Sequence, residues 1–394
     1  MAVKTGLEML VSQGAPSLRG KSVGLVCHPA SLGPGFAHAA DLLRALPLVR
    51  LAALFGPEHG VRGEAQDMVA VEAGKAQVDE KTGARVYSLY GPRVESLKPT
   101  PAMLEGLDAL VIDLQDVGSR YYTYYATMAL CLQAAAEAGL AIHVLDRPNP
   151  LGGELVEGGG QEPGFESFVG PFPLPVRHGL TMGELALWAN DRLDLDCDLT
   201  IIAMEGWERP MLWEQTGLPF IPPSPNMPTA DTARVYPGTC LVEGTNLSEG
   251  RGTTRPFEQV GAPFLDPEPL AAALNRQRLP GVHFRPLRFT PTFHKFAAES
   301  CGGVFLHVTD QAAFRPYKTG LSLLMTAQDL ARDQFRWRTE TYEFVDGVPA
   351  IDLLTGTDLV RLSFDRGETL SELFQAWAAE EEEFRQERQP FLVY

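Results

Sequence analysis

Val49-Arg50-Leu51-Ala52-Ala53-Leu54-Phe55 runs directly into Gly56-Pro57-Glu58-His59-Gly60-Val61-Arg62-Gly63-Glu64. The first stretch reads as a strand of a buried parallel sheet, and Gly56, Pro57 and Gly60 as the turn residues that end it. The loop that follows carries two carboxylates, an imidazole and a guanidinium. In open α/β sheets, ligands bind just outside the carboxyl ends of the strands. Two acids on such a loop are what glycoside hydrolysis and other acid–base chemistry require. The competing reading is a polar loop whose charges are simply solvated.

Working outward, apolar runs at 23–27, 86–89, 110–114, 141–145 and 199–204 read as further strands. Segments 37–46, 101–107, 121–138 and 181–190 read as the helices between them. Gly139 closes one of these helices, and Thr181 with Glu184 forms a capping box at the start of another. Strand and helix in alternation mean a parallel sheet with helices on both faces. No GxGxxG follows the first strand, so dinucleotide binding is not supported.

The texture changes at 219–237, where Pro222-Pro223-Ser224-Pro225-Asn226-Met227-Pro228 is too rich in proline for a helix or a central strand. It reads as a stiff linker or cleft wall, with cis X–Pro bonds admissible. Beyond it come a polar loop at 245–254, a helix at 268–277, strand-like runs at 283–289 and 303–308, and helices at 320–333 and 370–385. The run Glu380 to Glu383 on the last helix reads as a solvated face. The expected architecture is α/β: a Rossmann-like parallel-sheet domain over 1–228, then a smaller α+β domain over 229–394 that completes a cleft. A chain of 394 residues is long enough for two cores.

A net charge of −17 argues against nonspecific binding to nucleic acid or to an anionic membrane. No apolar stretch approaches the roughly 18–20 residues of a membrane span. Cys27, Cys131, Cys197, Cys240 and Cys301 lie far apart, with no CxxC pair, so a disulfide framework is not expected. As it stands the sequence reads as cytoplasmic, or as periplasmic or secreted if a leader has been removed. The histidines show no HxH or HxxxH spacing, so neither a metal nor another cofactor is expected.

Polar clusters recur at the strand ends. Gln115-Asp116-Val117-Gly118-Ser119-Arg120 leads into Tyr121, Tyr122, Tyr124 and Tyr125, whose rings could stack on a sugar, although at least two are expected to pack inward. Asp146-Arg147-Pro148-Asn149-Pro150 follows the next strand, and Arg177-His178-Gly179 precedes a helix start, a favourable place for an anion. Farther on, Glu243 to Thr254 is the densest polar segment. There Glu249 reads as a carboxylate brought to a cleft beside Arg251, a residue suited to holding a planar carboxylate.

Taken together and in order, Gly56-Pro57-Glu58-His59-Gly60, Asp113-Leu114-Gln115-Asp116-Val117-Gly118, Arg120-Tyr121-Tyr122-Thr123-Tyr124, Asp146-Arg147-Pro148-Asn149-Pro150, Arg177-His178-Gly179, Pro223-Ser224-Pro225-Asn226-Met227-Pro228 and Glu249-Gly250-Arg251-Gly252-Thr253 resemble the bacterial exo-β-N-acetylmuramidase family of the NamZ type. The resemblance spans nearly the whole chain. It implies an active site between the two domains and release of N-acetylmuramic acid (MurNAc) from the non-reducing end of peptidoglycan fragments, in cell-wall turnover and recycling. Glu58 matches the glutamate proposed as catalytic in that family, and His59 would position it or touch substrate. The second catalytic group is Glu64, Asp116 or Glu249, or the substrate's own acetamido oxygen. The lactyl carboxylate needs a cation, for which Arg62, Arg120, Arg147, Arg177 and Arg251 are candidates. Tyr122, Tyr124, Asn149, His178, Asn226 and Asn246 are further expected substrate contacts. Two alternatives remain open: a non-catalytic muropeptide-binding protein, and a Rossmann-like hydrolase of nucleotide sugars or phosphate esters.

Overall fold

The computed structural model describes residues 2–61 and 77–394. Seven strands form the first sheet: β1 (Ser22–Cys27), β2 (Arg50–Gly56), β3 (Gln77–Val78), β4 (Arg85–Ser88), β5 (Ala109–Asp113), β6 (Ala141–Leu145) and β7 (Leu199–Ile202). Their order is β3-β4-β2-β1-β5-β6-β7, and every pairing is parallel except that of β3 with β4. Side-chain alternation, with helices on both faces, explains why β1 from Val23 and β5 as far as Ile112 are apolar on both faces. Leu25 and Val111 face the layer made by helices Gly6–Ser12 and Ala39–Ala45, whereas Val26 and Ile112 face the layer made by Tyr124–Ala138 and Met182–Arg192. The capping box expected at Thr181 and Glu184 is present.

The smaller unit is built on an antiparallel sheet of β8 (Gln259–Ala262), β9 (Val282–Phe289) and β10 (Cys301–Val308), in the order β8-β10-β9. Helices Pro267–Arg276 and Ala230–Thr239 pack against it, and helix Pro316–Leu330 packs on those two helices.

Three expectations need correction. Helix Ala230–Thr239 occupies the end of the proline-rich segment, with Pro237 inside it. Thr229 caps its start by accepting from the Thr232 N–H. The helix is held by close packing, because an added Cβ on Gly238 would lie 1.9 Å from the Pro316 carbonyl oxygen. Second, all peptide bonds of the described residues are trans. Third, the acidic run on the last helix, Ser371–Glu387, is solvated only in part. Glu381 accepts from the Gly158 N–H at 2.9 Å and Glu380 from the Gly160 N–H at 2.9 Å. This helix straps the two units together. Its Phe384 packs on Trp188 with ring centroids 5.1 Å apart, and Arg388, just beyond it, donates to the His178 carbonyl at 2.7 Å. Its Trp377 fits over Gly159, where a Cβ would come within 2.2 Å of the indole nitrogen.

Among the described residues no helix is long and apolar enough to cross a membrane. No disulfide joins the five cysteines, and Cys27, Cys131 and Cys240 are buried as their apolar surroundings suggested.

Candidate active site

Strand β2 ends at Gly56, and the next turn delivers Glu58 and His59 to the carboxyl edge of the sheet. Both side chains are buried. His59 holds a left-handed backbone with φ 70°, a conformation that costs a non-glycine residue energy and clusters at functional sites. The helix expected from Tyr121 begins only at Tyr124, which leaves Tyr121, Tyr122 and Thr123 in the preceding turn. Thr123 stands at the N-cap of that helix without capping it. Its hydroxyl instead donates to Glu58 Oε2 at 2.8 Å. A cap is worth about 1 kcal/mol, so this helix gives up a local bond to hold the carboxylate.

Glu58, His59, Tyr122, Thr123 and Tyr124 form one side of a small polar cavity. Ser224 and Asn226 of the proline-rich segment form its edge. The opposite side comes from the second unit: Glu243, Arg251, Phe257, Tyr342 and Glu343. Arg251 is the only guanidinium or ammonium on the wall among the described residues. It donates to Glu243 at 2.7 Å, and the Tyr342 hydroxyl donates to the other Glu243 oxygen at 2.8 Å. Phe257 lies under the guanidinium, 5.0 Å from its ring centre. The phenols of Tyr122 and Tyr124 are pushed well up by burial, so both are neutral hydrogen-bonding groups. Tyr124 donates to the Pro223 carbonyl at 2.6 Å.

Several expected site residues face elsewhere. Glu249 has no exposed surface and sits behind the cavity wall, with Lys295 and His294 each at 3.1 Å and Arg251 at 3.3 Å. The Lys295 and Arg251 charges, with the His294 hydrogen bond, outweigh burial and hold its carboxyl well below the usual range, which marks it as a permanent anion. Arg120 spends its guanidinium on the Leu174 and Leu354 carbonyls, both at 2.7 Å, and so ties the two units together. Arg177 is buried and donates to the Leu151 carbonyl. His178 is buried, accepts from the Leu180 N–H at 3.1 Å and is kept neutral by burial. Asn149 and Asn246 bond backbone groups of their own surroundings. Arg147 pairs with Asp113 at 2.5 and 2.8 Å, outside this cavity. Asp116 accepts from the Gly118 N–H at 2.6 Å, and burial pushes its carboxyl up to about 7. It too is off the cavity wall. Arg62 and Glu64 lie outside the described residues.

The structure brings together residues that the sequence did not single out. Thr123 hides inside a tyrosine-rich run, and Glu243 is overshadowed by the glycine-flanked Glu249 six positions on. Tyr342 and Glu343 belong to no motif. Their one local peculiarity is backbone, with Glu343 and Phe344 both left-handed at φ 44° and 68°. Among the described residues no group of histidine, cysteine and acidic side chains could hold a metal ion.

Two family models match the chain in sequence: the N-terminal domain of exo-β-N-acetylmuramidase NamZ over residues 23–231, and its C-terminal domain over 234–394. The peptidoglycan β-N-acetylmuramidase NamZ of Bacillus subtilis (strain 168) is 45% identical over 392 residues, covering 100% of this chain and 91% of the relative. Crystal structures of two DUF1343 family proteins from Bacteroides fragilis superpose on the fold. One has a TM-score of 0.90 at 36% identity and the other 0.78 at 31%, each covering 100% of this chain and 99% of the other.

Proposed function

This chain belongs to the exo-β-N-acetylmuramidase family, and we propose that Glu58 is the acid with which it releases MurNAc from peptidoglycan fragments. It is a glycoside hydrolase acting at the non-reducing end. The observation that supports Glu58 is its position: a buried carboxyl on the wall of the inter-domain cavity, held by the Thr123 hydroxyl at 2.8 Å. Glu58 gives its proton to the glycosidic oxygen as the C1–O bond breaks, so the leaving sugar departs as a neutral alcohol, while water supplies the new hydroxyl at C1 and its remaining proton restores the acid for the next turnover. Tyr122, Tyr124 and Asn226 face the sugar ring. Arg251, fixed by Glu243 and Tyr342, takes the lactyl carboxylate, a pairing that its planar fork favours. A cavity closed by both units stops the glycan at one end, which is what exo-action requires.

The test is release of free MurNAc from the disaccharide MurNAc–GlcNAc by the wild type and by Glu58→Gln. Release that disappears in the mutant is expected. Near-normal release by Glu58→Gln would sink the assignment. Five cysteines with no disulfide among them support work in a reducing compartment, which cell fractionation checks.

A further inference from the structure

A second recess, of about 790 Å³, opens at the carboxyl ends of β1 and β5 and shares no residue with the cavity around Glu58. In the strand order, β2 and β4 lie on one side of β1, and β5 to β7 on the other. The pair β1–β5 is therefore the point where the winding reverses, the crevice in which open α/β sheets take ligands.

Two unlike charges face this recess, Glu8 and Arg147. Each is fixed by the fold and keeps one polar atom in reserve. Arg147 commits Nε and Nη2 to Asp113 and to the Leu32 carbonyl, and its Nη1 makes no hydrogen bond among the described residues. Glu8 commits Oε2 to the capping box at Thr5, and its Oε1 likewise accepts none. The two do not pair with each other. Between them the wall is apolar, with Leu32, Trp213 and Ile221, and Phe36 stands 64% exposed on the rim. A phosphate would meet the Glu8 charge, and a purely apolar ligand would leave both charges unmet.

We propose that this recess binds a zwitterionic amino-acid or short-peptide ligand, its carboxylate on Arg147 and its ammonium on Glu8. The nearest source rests on the muramidase reading, because peptidoglycan stem peptides carry both groups on a diamino acid. One segment walls both cavities: Pro219 and Ile221 face the recess, and Ser224 and Asn226 face the site of Glu58. It is pinned between them at the Pro223 carbonyl, which accepts from Tyr124 at 2.6 Å and from His28 Nδ1 at 3.2 Å. His28 is kept neutral by burial, and its Nε2 accepts from the Gln115 N–H at 2.8 Å, which leaves the proton on Nδ1. The peptide could arrive free or still joined to the sugar.

Calorimetric titration of the full chain with free L-alanyl-γ-D-glutamyl-meso-diaminopimelate tests the first source. One site is expected, weakened about tenfold or more by Glu8→Gln and by Arg147→Lys and unchanged by Glu58→Gln. The KM for MurNAc–GlcNAc with and without the same peptide tests the second source. There a lower KM for the peptide-bearing substrate, lost in Glu8→Gln, is expected. Should Arg147→Lys fail to fold, Glu8→Gln decides alone, since glutamine also serves as the third residue of a capping box. Absence of titration heat together with equal KM values would overturn the proposal, as would binding indifferent to Glu8→Gln. Failure of the muramidase reading looks different, with no MurNAc released from either substrate while the titration stands.

Discussion

Glu58 and Glu249 occupy segments that look alike on paper. Each is an acid flanked by turn glycines, with an arginine within four positions. In the fold they separate completely. Glu249 is enclosed by Lys295, His294 and Arg251 and is anchored as an anion behind the wall. Glu58 stands on the wall itself, with a neutral hydroxyl from Thr123 against one oxygen. A carboxylate sealed behind a wall with Lys295 and Arg251 holds a structure together, whereas one set on the wall of a cavity can meet a substrate.

The widest separation is expected when both acids are neutralised. Glu58→Gln should lower kcat by about 10²–10⁴-fold with an unchanged melting temperature. Glu249→Gln should instead cost about 3–5 kcal/mol of stability, because it removes the buried carboxylate that Lys295 and Arg251 share. Thermal melts beside single-turnover rates check both, and the contrast breaks if the two effects are exchanged. A smaller effect belongs to Thr123. Thr123→Val should reduce kcat about tenfold by removing one hydrogen bond to a carboxylate, and Thr123→Ser should restore it.

The smallest effect is a slope. Burial pushes Asp116 and Glu157 each up to about 7. Between about pH 4 and 7 the folded chain therefore keeps protons that the unfolded chain has lost. Stability should fall as pH rises through that window and level off above it. Asp116→Asn should flatten part of that fall in melts from pH 5 to 8. Glu249 contributes the opposite sign, since its stabilisation is lost as pH falls below the ordinary glutamate range.

The parallel sheet was legible because its signal is local. Runs such as Leu110 to Ile112 are apolar on both faces, and the turn after Phe55 announces itself with Gly56, Pro57 and Gly60. The wall on the second unit was not, because it depends on pairings across the chain. Tyr342 becomes a site residue only by donating to Glu243, 99 positions earlier. Arg120 and Arg177 looked like ligand-binding cations, but sequence cannot show that backbone carbonyls already claim them. Helix Ala230–Thr239 escaped the proline rule because packing at Gly238 and Gly320 outweighs the cost of Pro237.

The strap of Ser371–Glu387 also sets a timetable for synthesis. Arg388 reaches back 210 positions to the His178 carbonyl, and Phe384 covers Trp188. At roughly 5–20 residues per second, a ribosome takes about 10–40 s to deliver that cover. For that interval the first domain is outside the ribosome with the indole face of Trp188 unshielded. A nascent chain of this kind is a natural client for a holding chaperone until its last helix arrives.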